Sequence, residues 1–124
     1  MGLSAAFMTL LGVTASFLPQ ELLGWSGSPP GGTGVIAIQV AGALYLGFGM
    51  LNWMARPNLI GGVYGRPIAL GNFLHFAVVA VVLLKALLAG QLPAAMAAAA
   101  LAYAAFGAWF GLVLFTHPGN PDKR

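Results

Sequence analysis

The chain has 124 residues, 60% of them apolar and 6% charged, with a net charge of +3 and no Cys. A soluble domain of this length could not hide that much apolar surface, so lipid is the expected solvent and one transmembrane domain, 1–124, the expected organisation. The absent thiols exclude disulfides and thiolate metal sites, and the sparse basic residues read as topology signals rather than as a nucleic-acid surface.

Four apolar runs are each near the roughly 17–25 residues that a helix needs to cross a bilayer. The first predicts a helix near 3–19, ended by Pro19. It has no basic segment before it, so it reads as a retained span rather than a signal peptide. Residues 20–32, rich in Gly, Ser and Pro, are expected to form a loop with Trp25 as an interfacial anchor. The second helix is expected near 34–55 and is stopped by Arg56-Pro57. Its Ala43 and Gly47 form a small-xxx-small pair that would admit a close neighbour. The third is expected near 67–89, with Pro67 suited to the first helical turn. Gly90-Gln91-Leu92 then reads as a tight turn, and Pro93 opens a fourth helix near 93–115. That helix begins as mostly Ala and continues with aromatics around Gly107-x-x-x-Gly111, a close-packing motif. Alanine gives little transfer free energy, so this helix is expected to pack on protein, either the second helix or another chain.

Short connections between four spans predict an all-α, antiparallel four-helix bundle. Arg56 and Arg66 flank the loop between the second and third runs, and Lys123 and Arg124 follow the fourth. The other two loops have no Lys or Arg, so both termini and the 56–66 loop are expected in the cytoplasm. The expected location is the bacterial inner membrane, with the lipid bilayer as first partner.

Polar side chains within spans are costly and are therefore functional candidates. Depth along the helices sorts them into two layers. An outer layer holds Glu21, Gln39, Lys85 and Gln91. An inner layer holds Asn52, Arg56, Tyr64, Arg66, Asn72 and His75, with Asn72 and His75 three apart on one helix face. Two readings of the inner layer stand side by side. It is a satisfied polar network tying helices together, or it is a small cytoplasm-facing pocket where His75 handles a proton and an arginine holds an anion. For Lys85 the readings are snorkelling to the interface, or proton or anion handling in a pair with Glu21. For Gln39 the leading one is an interhelical hydrogen bond.

No catalytic constellation can be assembled. The two carboxylates, Glu21 and Asp122, are expected on opposite membrane faces, and the two histidines, His75 and His117, lie far apart in sequence. No metal-ligand spacing occurs, so no metal and no cofactor are predicted. A quinone or a lipid is the ligand class left open.

The stretch from Gly42-Ala43-Leu44-Tyr45 to Asn52-Trp53, then Ala55-Arg56, Arg66-Pro67 and Gly71-Asn72-Phe73-Leu74-His75-Phe76, resembles small bacterial membrane proteins of the DoxX-like four-helix kind. The resemblance covers roughly 39–76 and implies a four-helix membrane protein with an accessory or redox-linked role. It carries over no catalytic residue. The leading expectation is therefore a non-enzymatic accessory or structural membrane protein, partnered through the fourth helix with another protein or a second copy. Binding or transport of a small molecule or lipid by the inner layer is the alternative, and a quinone-linked redox partner the third reading.

Overall fold

A computed structural model describes residues 1–29, 31–57 and 65–116. The described residues are helical, with no strand among them: α1 (Gly2–Phe17), α2 (Pro19–Trp25), α3 (Gly32–Ala55), α4 (Gly65–Leu88) and α5 (Met96–Thr116). Three of these, α3, α4 and α5, are long and apolar enough to cross a membrane by themselves, and α1 with α2 makes a fourth if that bent pair is one span. The 24 residues of α3 and of α4 reach roughly 36 Å at 1.5 Å per residue, enough for the hydrocarbon core. The chain is a multi-pass membrane protein. In lipid every backbone N–H and C=O needs an internal partner, which is why the spans are helices.

The chain divides into two compact units, Met1–Arg56 and Pro57–Arg124. In the first, α1 and α3 pack antiparallel at near-backbone contact. A Cβ added to Gly12 would stand 2.8 Å from the Leu46 backbone N and 2.9 Å from the Gly42 carbonyl. One added to Gly42 would stand 2.8 Å from the Ser16 backbone N. Further along, Gly49 meets the Thr9 side chain, and its own added Cβ would lie 3.1 Å from the Thr9 backbone N. Gly42 and Gly49 are seven residues apart and so occupy one stripe of α3. The expected pair, Ala43 and Gly47, is exposed, with nothing within 4 Å of a Cβ built on Gly47. The small-xxx-small spacing was present, but the helix is turned so that the neighbouring stripe meets α1.

The expected loop after α1 is corrected as well. Pro19 ends one helix and opens the next. Leu18 leaves the helical conformation (φ −124°, ψ 46°), and Pro19, lacking an N–H, takes the first position of α2. The two axes meet at 97°. Glu21 lies in the first turn of α2, where a carboxylate suits the helix dipole. Gly27, at φ +73°, closes α2, and the Ser28 N–H bonds the Leu23 carbonyl at 3.1 Å. Leu23 is buried and rests near Gly34, so α2 folds back onto the start of α3.

The second unit pairs α4 with α5, again antiparallel. Its seam runs through Gly65, Ala69, Asn72 and Phe76 on α4 and through Ala100, Tyr103, Gly107 and Phe110 on α5. These alternate in steps of three and four, the pattern of a knobs-into-holes seam. A Cβ on Gly107 would lie 3.3 Å from the Ala77 backbone N, and one on Gly111 would lie 3.1 Å from the Phe73 ring. Gly107 and Gly111 of the Gly107-x-x-x-Gly111 motif thus meet α4. Gly90 (φ +68°) closes α4, with the Gln91 N–H on the Ala86 carbonyl at 2.9 Å. Pro93 begins a turn of short-range bonds, Met96 N–H to Pro93 O and Ala97 N–H to Ala94 O, before α5 proper starts at Met96.

Gly42→Ala should therefore lower the unfolding stability of the full chain in detergent micelles by about 1–3 kcal/mol, because the new methyl meets backbone that cannot swing aside. Gly47→Ala, facing open space, should stay within about 0.5 kcal/mol of wild type. Equal losses in a denaturant titration would contradict the assigned register.

Candidate functional site

Lipid offers a polar side chain no solvent partner, so each intramembrane polar group must find one in protein. In the first unit Asn52 is fully buried, and its Nδ2 donates to Met8 Sδ of α1 at 3.6 Å. Asn52 lies three residues beyond Gly49 on the stripe that faces α1, so the close approach at Gly49 brings the amide within reach. Gln39 sits near the other end of the same helix pair and donates from Nε2 to the Ser16 carbonyl at 3.4 Å. It reaches α1 one helical turn from the Gly42 contact. The two amides thus tie α1 to α3 on either side of the glycine seam.

In the second unit Asn72 is fully buried, and its Nδ2 donates to the Ile68 carbonyl one turn back on α4 at 2.8 Å. His75, three residues on, is half-buried with its Nε2 shielded. Its ring centre lies 5.3 Å from Phe76 and 5.9 Å from Tyr103. Phe76, with no exposed surface, is the centre of an aromatic cluster. It stacks on Phe106 at 4.9 Å and on Phe110 at 5.8 Å, and meets Tyr103 at 5.5 Å. His75 therefore sits at the edge of a packed aromatic core. Ring pairs at these separations contribute about 0.5–1.5 kcal/mol each beyond burial.

The remaining candidates lie at helix ends. Arg56 caps the C-terminus of α3, and its guanidinium lies 3.4 Å from the Trp53 ring centre. Trp53 is three residues earlier, the spacing at which helix neighbours share a face. Arg66 is exposed in the first turn of α4. Lys85 is exposed in the last turn of α4, and Glu21 is exposed on α2. Tyr64 lies outside the described residues, as do His117, Lys123 and Arg124. Of the expected inner layer, the structure groups Asn72 with His75 on α4 and Asn52 with Arg56 on α3. The sequence reading missed Met8 and Ser16, the α1 partners of the two α3 amides.

The hydroxyls follow the same economy. Ser4 donates to the Met1 carbonyl and Thr14 to the Leu10 carbonyl, both at 2.8 Å, and Thr116 donates to the Leu112 carbonyl. Each satisfies itself on the preceding turn of its own helix. No group of three His, Cys, Asp or Glu side chains that could hold a metal occurs among the described residues. The arrangement can glue helices and order their ends.

The grooves at the surface of the two pairs are of another kind. One of about 790 Å³ runs between α1 and α3, and two of about 580 and 490 Å³ run between α4 and α5. Apolar side chains dominate their linings. Comparison with protein-family models, curated proteins and solved structures gives no match for this chain.

Phe76→Ala should cost about 3–5 kcal/mol of unfolding stability by opening a cavity in the aromatic core. Asn52→Leu, which loses an interhelical tie in lipid, should cost only about 0.6–2 kcal/mol. A denaturant titration of both variants tests the ranking; an Asn52 loss exceeding that of Phe76 would reverse it.

Proposed function

We propose that this protein is a non-enzymatic accessory or structural subunit of the bacterial inner membrane. One observation carries the reading. The described polar groups within the spans are engaged in packing or in helix hydrogen bonds: Asn52 on Met8 and Gln39 on Ser16 across α1–α3, Asn72 on the Ile68 carbonyl of its own helix, and His75 against aromatic rings. Side chains committed to packing are costly to redeploy for turnover, because each displaced amide would stand unsatisfied in an apolar surround. The single domain, the four-span antiparallel bundle and the cytoplasmic termini belong to the same proposal, supported by the bias of Lys and Arg toward one side of the sequence map. So does the DoxX-like resemblance, which rests on the Gly-aromatic-Asn pattern of α3 and α4.

The protein partner in this proposal uses the outward faces of the helices. Gly107 is turned to α4, whereas Leu101, Trp109, Leu112 and Phe115 of α5 are exposed. In a membrane these side chains face lipid or a neighbouring subunit.

The test is native mass spectrometry of the full chain extracted from its own membrane in mild detergent. A defined mass beyond any whole-number multiple of the chain is the expected result, unaltered in composition by His75→Ala. A monomer or pure homo-oligomer would refute the heteromeric accessory role. A small molecule retained by wild type and lost in His75→Ala would move the assignment to the inner-layer pocket.

A further inference from the structure

The groove between α1 and α3 is lined by Ala6, Thr9, Leu10, Leu46, Met50 and Trp53, among others. Trp53 belongs to two features at once. It forms part of the groove wall, and Arg56 lies over its ring. An apolar groove thus shares a wall residue, Trp53, with a cation at the terminus of a membrane-spanning helix. None of the three grooves has a charged residue in its own lining, but only in the α1–α3 groove, among the described residues, does a wall residue carry a cation over its ring.

We propose that the α1–α3 groove is a binding site for one anionic phospholipid, with an acyl chain along the groove and the phosphate on Arg56. The division of labour follows from the solvent. Bulk lipid tails are as apolar as the groove, so the tail gains only shape-dependent contact there. Selection must come from the headgroup. Stacking uses the flat face of the guanidinium, and the N–H groups at its edge point outward in the fork geometry that fits phosphate oxygens. A zwitterionic headgroup brings its own cation to that phosphate, whereas an anionic one leaves the charge to Arg56. One Lys or Arg at the membrane surface corresponds to a preference of about fivefold. The site uses neither Asn52 nor His75, so it stands whether or not the accessory role does.

The chain has three tryptophans, Trp25, Trp53 and Trp109, and replacing the first and last with Phe leaves Trp53 as the sole reporter. This full-length protein is reconstituted in phosphatidylcholine bilayers containing a small fraction of phosphatidylglycerol brominated on its acyl chains, which quenches a touching indole. The expected quenching corresponds to a local phosphatidylglycerol content about fivefold above its bulk fraction. Arg56→Gln should return it to the bulk value. Ala6→Phe, which fills the groove from an exposed position, should reduce quenching with the thermal midpoint unchanged. Equal quenching by brominated phosphatidylcholine in the parent protein overturns the proposal without need of any further variant. An Arg66→Gln loss as large as that of Arg56→Gln also overturns it, by assigning the effect to general surface charge. Unaltered quenching in Ala6→Phe overturns the placement of the acyl chain.

Discussion

Helices in lipid gain almost nothing from hiding apolar surface from one another, because the tails they displace are equally apolar. What holds two of them together is contact at short range, and the sites of closest approach decide everything else about each pair. In α1 and α3 those sites are Gly12, Gly42 and Gly49, where an added methyl would press on backbone atoms of the opposite helix. Once these backbones are that close, Asn52 can reach Met8 and Gln39 can reach the Ser16 carbonyl. A side-chain-thick seam would leave both amides short of α1. The glycine stripe is therefore the cause, and the polar ties are a consequence of it.

The second unit meets the same constraint with the opposite material. Its seam is filled by rings, with Phe76 fully enclosed by α5 residues such as Phe106 and Phe110 and only one turn, at Gly107, brought to the backbone of Ala77. Small residues and rings complement each other here: Gly107 and Gly111 admit α4, and the neighbouring aromatics fill the space to either side. His75 owes its place to this arrangement. It stands three residues from Asn72 and one from Phe76, and the packing that buries them draws its ring toward Tyr103.

The spans were legible because a bilayer demands long apolar runs, and nothing else in this composition produces them. Their registers were not. The small residues of α3 include two spacings, Ala43 to Gly47 and Gly42 to Gly49, and the sequence of that helix alone does not say which stripe meets a neighbour. The choice depends on α1, where Gly12 and Ser16 supply the complementary surface. Pro19 was misread for a related reason. A proline is equally at home just after one helix and at the first position of another, and Leu23, which packs α2 back onto α3, lies amid residues of turn-forming type. For the candidate site, the residues were visible as polar interruptions of apolar runs, but their partners were not. A thioether and a main-chain carbonyl, the acceptors for Asn52 and Gln39, carry no sequence signal.

Functional capacity then shifts from the interior to the rim. A polar side chain inside a span is occupied by the need to be satisfied, whereas one at a helix end has water and headgroups as alternatives and can exchange partners at little cost. Arg56 meets that condition. It is exposed and lies over Trp53, a residue that also lines the apolar groove between α1 and α3 beside Gly49. The glycine contact that binds the two helices draws their axes together, and the larger side chains flanking it, Leu10, Leu46 and Met50, stand out as the walls of a trough. Association of the pair and creation of a lipid-shaped surface are in this sense a single geometric event.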